Sequence, residues 1–146
     1  MSRVQILAVG RMSKGEEAAL VARYQKRHKR FKVQTVELAE SNKSREAEQL
    51  LGKIPDSQFC ITLDERGQAL DSVAFAQLLG KQFDAGRQVS IVIGGPDGLD
   101  PSVNQRADRT LNLGQMTWPH QLVRVLLAEQ LYRAETILLG HPYHRV

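Results

Sequence analysis

The run Gly94-Gly95-Pro96-Asp97-Gly98-Leu99 follows directly on the β-branched stretch Ile91-Val92-Ile93. Glycine permits positive φ and close approach, and proline holds its own φ near −65°. The chain must therefore bend sharply here and lie close to another group. At the end of a buried strand of an α/β protein, such a loop is a place for a small ligand. Taken alone, it is equally a tight strand-to-helix turn. Two further segments, Leu63-Asp64-Glu65-Arg66-Gly67 and Gly114-Gln115-Met116-Thr117-Trp118-Pro119-His120, also follow apolar runs and would converge on the same edge. The tail Gly140-His141-Pro142-Tyr143-His144-Arg145 gathers two imidazoles, a phenol ring and a guanidinium. These groups stack on bases and contact phosphate; the bland alternative is a frayed end.

Several chemistries lack their residues. Neither G-x-G-x-x-G nor G-x-x-x-x-G-K-[ST] occurs, so a ligand would be held by shape and backbone hydrogen bonds and not by a phosphate cradle. No serine stands in G-x-S-x-G, and the single cysteine, Cys60, lies inside the apolar run Phe59-Cys60-Ile61 as a core residue. His141 and His144 have metal-compatible spacing without a third ligand nearby, and no metal is expected.

The elements that must position these segments alternate. Val4 to Val9 and Val33 to Leu38 predict strands. Between them runs a helix opened by a capping box, Ser13 with Glu16, that carries Leu20, Val21, Tyr24 and His28. Ser41 or Ser44 would cap a second helix bearing Ala47, Leu50, Leu51 and Ile54, ended by Pro55-Asp56-Ser57. Phe59 to Leu63 is the third strand, Ser72 to Phe83 a helix stopped by Ala85-Gly86, and Val89 to Ile93 the fourth strand. Asp100-Pro101 opens a short helix, Thr110 to Leu113 is a strand, and Pro119 begins a long last helix. That helix repeats Leu122, Val123, Leu126, Leu127, Leu131, Ala134 and Leu138. The stripe is broad enough for part of it to face a second subunit. The alternation predicts one α/β domain over residues 1–146, a mostly parallel sheet with helices on both faces.

At 146 residues the chain can bury a real core. With 42% hydrophobic and 25% charged residues it is globular in composition. No apolar stretch matches a bilayer span, and the pattern of a signal peptide is missing, so a cytoplasmic protein is expected without membrane partners. The net charge is +4. Arg23, Lys26, Arg27, Lys29, Arg30 and Lys32 crowd one short segment with no acid among them. Such a cluster is a solvated helix face or a footprint for phosphates.

At several of these points the chain resembles the ribosomal large subunit pseudouridine N3-methyltransferases of the SPOUT superfamily. The resemblance runs from Val4-Gln5-Ile6-Leu7-Ala8-Val9-Gly10 to the terminus. It is carried by Thr62-Leu63-Asp64, Ile93 to Leu99, Met116-Thr117-Trp118-Pro119-His120, Val123-Arg124-Val125-Leu126, Glu129-Gln130-Leu131-Tyr132-Arg133-Ala134 and His141-Pro142-Tyr143-His144-Arg145. The resemblance implies a C-terminal trefoil knot, a homodimer packed through the last helix, and S-adenosylmethionine as methyl donor bound in the knot. By motif match, Leu63, Gly94, Leu113, Gly114, Gln115, Met116, Thr117 and Trp118 would contact that cofactor, with Gly95, Pro96 and Gly98 shaping the same wall. Trp118 stands where a smaller apolar residue is common in the family.

The implied substrate is a pseudouridine of 23S rRNA on the assembled ribosome. Candidates for binding and orienting it are His120, Arg124, Arg133, His141, Tyr143, His144 and Arg145, with the proton acceptor unassigned and water a candidate. Blander roles stand beside these: Arg133 paired with Glu129, and His120 helping to cap its helix. The alternatives are a related knotted methyltransferase acting on tRNA or another rRNA position, and a non-enzymatic ribosome-associated RNA binder.

Overall fold

The computed structural model describes residues 2–12 and 14–145. Its strands are β1 (Ser2–Val9), β2 (Phe31–Leu38), β3 (Phe59–Ala69), β4 (Val89–Ile93) and β5 (Arg109–Asn112). They form one sheet in the order β2-β1-β4-β3-β5, every pairing parallel. The helices are α1 (Glu16–Lys26), α2 (Lys43–Leu51), α3 (Ser72–Asp84), α4 (Pro101–Arg106) and α5 (His120–Leu139).

Alternation along the central strands divides the interior in two. Val4, Ile6, Ala8, Ile61, Ile91 and Ile93 meet α3 and α5 through Phe75, Leu79, Leu127 and Leu131. Leu7, Val9, Cys60 and Val92 meet α2 and α4 through Ala47, Leu50 and Val103. Cys60 is wholly buried, and that burial pushes its thiol up to about 11, which leaves it a core residue and not a nucleophile. Because α3 and α4 cover opposite faces, the adjacent strands β3 and β4 send the chain to opposite sides. A crevice opens at their carboxyl ends.

Local chemistry differs from the expectations in four places. The Ser13 half of the expected capping box lies outside the described residues; the N-cap of α1 is Gly15, and the helix ends at Lys26, before His28. The N-cap of α2 is Asn42, whose side chain accepts from the Arg45 amide, and neither Ser41 nor Ser44 fills that place. β3 runs on to Ala69 through a register shift between Leu63 and Gln68. Gly67 presses there on β5, where a Cβ would meet backbone atoms of Leu111 at 2.7 Å. β5 itself spans Arg109–Asn112, one residue earlier than expected. Asp100 caps α4 and Pro101 opens it, as the sequence predicts.

Among the described residues no helix is long and apolar enough to cross a membrane.

Candidate functional site

The three segments singled out at the carboxyl edge do converge. Leu63 to Arg66, Ile93 to Leu99 and Leu111 to Gly114 line one cavity of about 530 Å³, closed further by Met116, Thr117, Trp118, His120, Val123 and Lys43. The volume suits a nucleoside-sized cofactor. Gln115 is exposed and is the one residue of the expected cofactor run outside this lining.

Each wall has a local cause. Gly98 donates to the Gly95 carbonyl at 3.0 Å, closing a turn over Pro96 and Asp97, and its φ of +80° favours glycine. A Cβ on Gly94 would stand 2.9 Å from Leu99 Cγ and 3.1 Å from the Gly98 carbonyl carbon. The loop can fold back on itself only because that atom is missing. Asn112 pins the opposite wall: its Nδ2 donates to the Gly67 carbonyl at 2.6 Å and its Oδ1 accepts from the Gly114 amide at 3.0 Å. Sequence reading passed over Asn112, although an Asn two residues before a Gly is an Asx-turn signal. Trp118 Nε1 donates to the Leu113 carbonyl at 3.3 Å, and the residue lines the same cavity. At the rim, Arg66 donates to Asp64 and holds that carboxyl below its usual range.

The cavity offers apolar side chains for a base, namely Leu63, Ile93, Leu99, Leu111 and Val123. His120 lines it too, and its Nε2 is buried without a hydrogen-bond partner among the described residues. The volume and the apolar lining suit the base and ribose of S-adenosylmethionine. No group of three or more His, Cys, Asp or Glu among the described residues could hold a metal ion.

The remaining candidates divide. Arg124 is not offered to a ligand: it is 7% exposed, paired with Glu37, and donates to the Gly10 carbonyl. It ties the start of α5 to the carboxyl ends of β1 and β2, a structural engagement beside its expected place as a substrate contact. Arg133, Tyr143 and His144 form a second cluster. Arg133 Nε donates to Glu129 Oε1 at 3.0 Å, the Tyr143 hydroxyl donates to Glu129 Oε2 at 3.1 Å, and the two rings Tyr132 and Tyr143 meet at 4.8 Å. Burial, then the Glu129 carboxylate, pushes the Tyr143 phenol up to about 12, so it is a donor at neutral pH and not a base. The tail is packed, not frayed, with His141 and Arg145 exposed.

The two clusters lie at opposite ends of α5. That helix starts beside Gly10 at the carboxyl edge of the sheet and brings Glu135 beside the Phe31 amide at the amino edge. His120 and Arg133 are thus about 20 Å apart along the helix axis.

Strand order alone leaves the class of this sheet open. The structure matches a probable methylase family protein from Haemophilus influenzae Rd KW20, with a TM-score of 0.58 and 11% identity over 98% of this chain and 70% of that one. It matches a probable rRNA-methyltransferase from Porphyromonas gingivalis at 0.55 and 12% identity, over 94% of this chain and 69% of that one. At such identities the likeness is one of fold. The family described as "Predicted SPOUT methyltransferase" matches residues 2–144, and the chain belongs to it. It is 54% identical to a protein named Ribosomal RNA large subunit methyltransferase H from Rhizobium leguminosarum bv. trifolii, over 99% of both chains. It is 52% identical to a protein of the same name from Rhizobium meliloti, over 98% of this chain and 99% of that one.

Proposed function

We propose that this chain transfers a methyl group from S-adenosylmethionine to N3 of a pseudouridine in 23S rRNA on the assembled ribosome. The carrying observation is the glycine-walled cavity at the carboxyl edge, in a chain 54% identical to a large-subunit rRNA methyltransferase. The cofactor supplies an electrophilic methyl carbon. Leu63, Gly94 and the Leu113 to Trp118 segment hold it, while Gly95, Pro96 and Gly98 shape the wall. The C-terminal segment forms the family's trefoil knot around it.

The chain's own work is to place and desolvate the base. N3–H is a weak acid and must lose its proton at or before attack, so in-line positioning supplies much of the rate. His120 stands at the cavity, and cationic groups nearby stabilise the developing base anion. Within one copy the tail is about 20 Å from that cavity. The reading therefore includes a homodimer packed through α5, the tail of one copy meeting the cavity of the other. Leu122, Leu138 and Leu139 are 38–43% exposed along that helix and are suited to such a contact. A ribosomal substrate places the protein in the cytoplasm.

Mixing inactive copies tests the arrangement. Gly94→Val removes a cavity and Arg145→Ala a tail contact; a heterodimer of the two regains one intact cavity facing one intact tail. Restored methylation of ribosomes is expected. Absence of restoration in verified heterodimers contradicts the shared site, and label entering tRNA instead of ribosomes contradicts the substrate.

A further inference from the structure

Glu135 is a carboxylate 2% exposed in the middle of the α5 packing surface. It accepts from three consecutive backbone amides, Lys29 at 3.1 Å, Arg30 at 2.6 Å and Phe31 at 2.6 Å. Successive amides turned onto one anion form a nest, and they turn the intervening side chains the other way. Lys29 and Arg30 are accordingly exposed. A buried carboxylate is costly unless fully bonded, and amides drawn partly or wholly out of water are costly without an acceptor. The two therefore specify each other: the α1–β2 connection holds this shape only while α5 carries an acid at this place.

The tethered segment lies against the tail. The Arg27 guanidinium is 4.5 Å from the Tyr132 ring centroid and 5.5 Å from that of Tyr143, while Arg133 stands 4.9 Å from Tyr143. Arg27 thus joins the tail's surface, and the exposed Lys29 and Arg30 follow it directly in the chain, with no acid among the three.

We infer that Glu135 is a positioning residue, which fixes the Arg27 to Arg30 segment beside the C-terminal tail so that both meet the phosphodiester backbone of the RNA substrate as one surface. This rests on the reading of the chain as an RNA methyltransferase.

The test compares wild type, Glu135→Ala, Glu135→Gln and Lys29→Ala/Arg30→Ala by amide exchange at residues 29–31 and by methylation of ribosomes. In Glu135→Ala the three amides should exchange at least about a hundredfold faster. KM for ribosomes should rise about tenfold, while kcat and S-adenosylmethionine affinity stay within about twofold. Glu135→Gln keeps one acceptor oxygen and should fall between; it carries the test if the alanine variant does not fold. The Lys29→Ala/Arg30→Ala variant should raise KM similarly without faster exchange, and adding Glu135→Ala should raise it no further. Fast exchange with unchanged KM, or unchanged exchange in Glu135→Ala, overturns the inference. Should wild type leave ribosomes unmethylated, the functional reading fails. Binding of the same variants to 23S rRNA then decides the positioning role, a tenfold loss supporting it and equal binding overturning it.

Discussion

Nη1 of Arg133 stands 3.0 Å from Nδ1 of His144. A guanidinium has donors only, so the imidazole accepts, and the ring proton of the neutral His144 sits on Nε2. Arg133 thereby sets the tautomer of a tail residue while its own charge is held by Glu129. Arg133→Lys cannot span both partners. Its kcat/KM on ribosomes should fall at least about tenfold, with cofactor affinity unchanged, and nitrogen NMR of His144 should show the Nε2–H tautomer no longer dominant. Unchanged kinetics in this variant would reduce the pair to a surface contact.

Arg124 separates a structural role from a substrate role. Removing its guanidinium orphans the Gly10 carbonyl and leaves Glu37, partly exposed, with the Met12 amide as its remaining donor. Arg124→Ala should cost about 1–3 kcal/mol of stability in denaturant unfolding. An unaltered unfolding midpoint with a raised KM for ribosomes would return it to the RNA contacts.

Much of this was legible in the sequence, and the gaps have physical causes. Strand and helix positions followed from periodicity, and the Asp100-Pro101 opening of α4 from capping chemistry. The prolongation of β3 past Leu63 was hidden because Asp64 to Gly67 has turn composition; these residues leave the ladder, and pairing with β5 resumes only at Gln68. Asn42 outcompeted Ser41 and Ser44 as a cap, a choice among three suitable side chains that only tertiary contacts decide. The role of Arg124 depends on carbonyls more than a hundred residues away in sequence, and the nest around Glu135 is equally remote. Strand order could not be read from periodicity at all, since it is a global property. The cavity segments, in contrast, were found because glycine and proline mark backbone constraint locally.

Acid sensitivity should trace in part to His28. Its side chain is 4% exposed, and burial lowers its pKa below the ordinary 6.5 against the opposing pull of Glu135. The unfolded chain then binds more protons than the folded one between the folded value and 6.5. Stability is full above 6.5 and declines as pH falls through that window. His28→Phe should flatten this part of the slope in urea unfolding run from pH 7.5 to 5.5. An identical slope in wild type and variant would assign the acid loss to other groups.

Cavity and tail should fail in different ways. Gly94→Val forces a side chain onto Leu99 and Gly98, and calorimetry should show S-adenosylmethionine affinity lost by at least about a hundredfold, with RNA binding intact. Arg145→Ala should leave that affinity unchanged and lower ribosome methylation. Equal losses in both quantities for Arg145→Ala would make the tail structural.

The most direct measurement is methyl transfer from isotopically labelled S-adenosylmethionine to 70S ribosomes and separated subunits from cells lacking this protein, with the modified nucleoside identified by mass spectrometry. Label is expected as N3-methylpseudouridine in large-subunit rRNA. Label at another nucleoside, or none from a protein that demonstrably binds the cofactor, would contradict the proposed reaction.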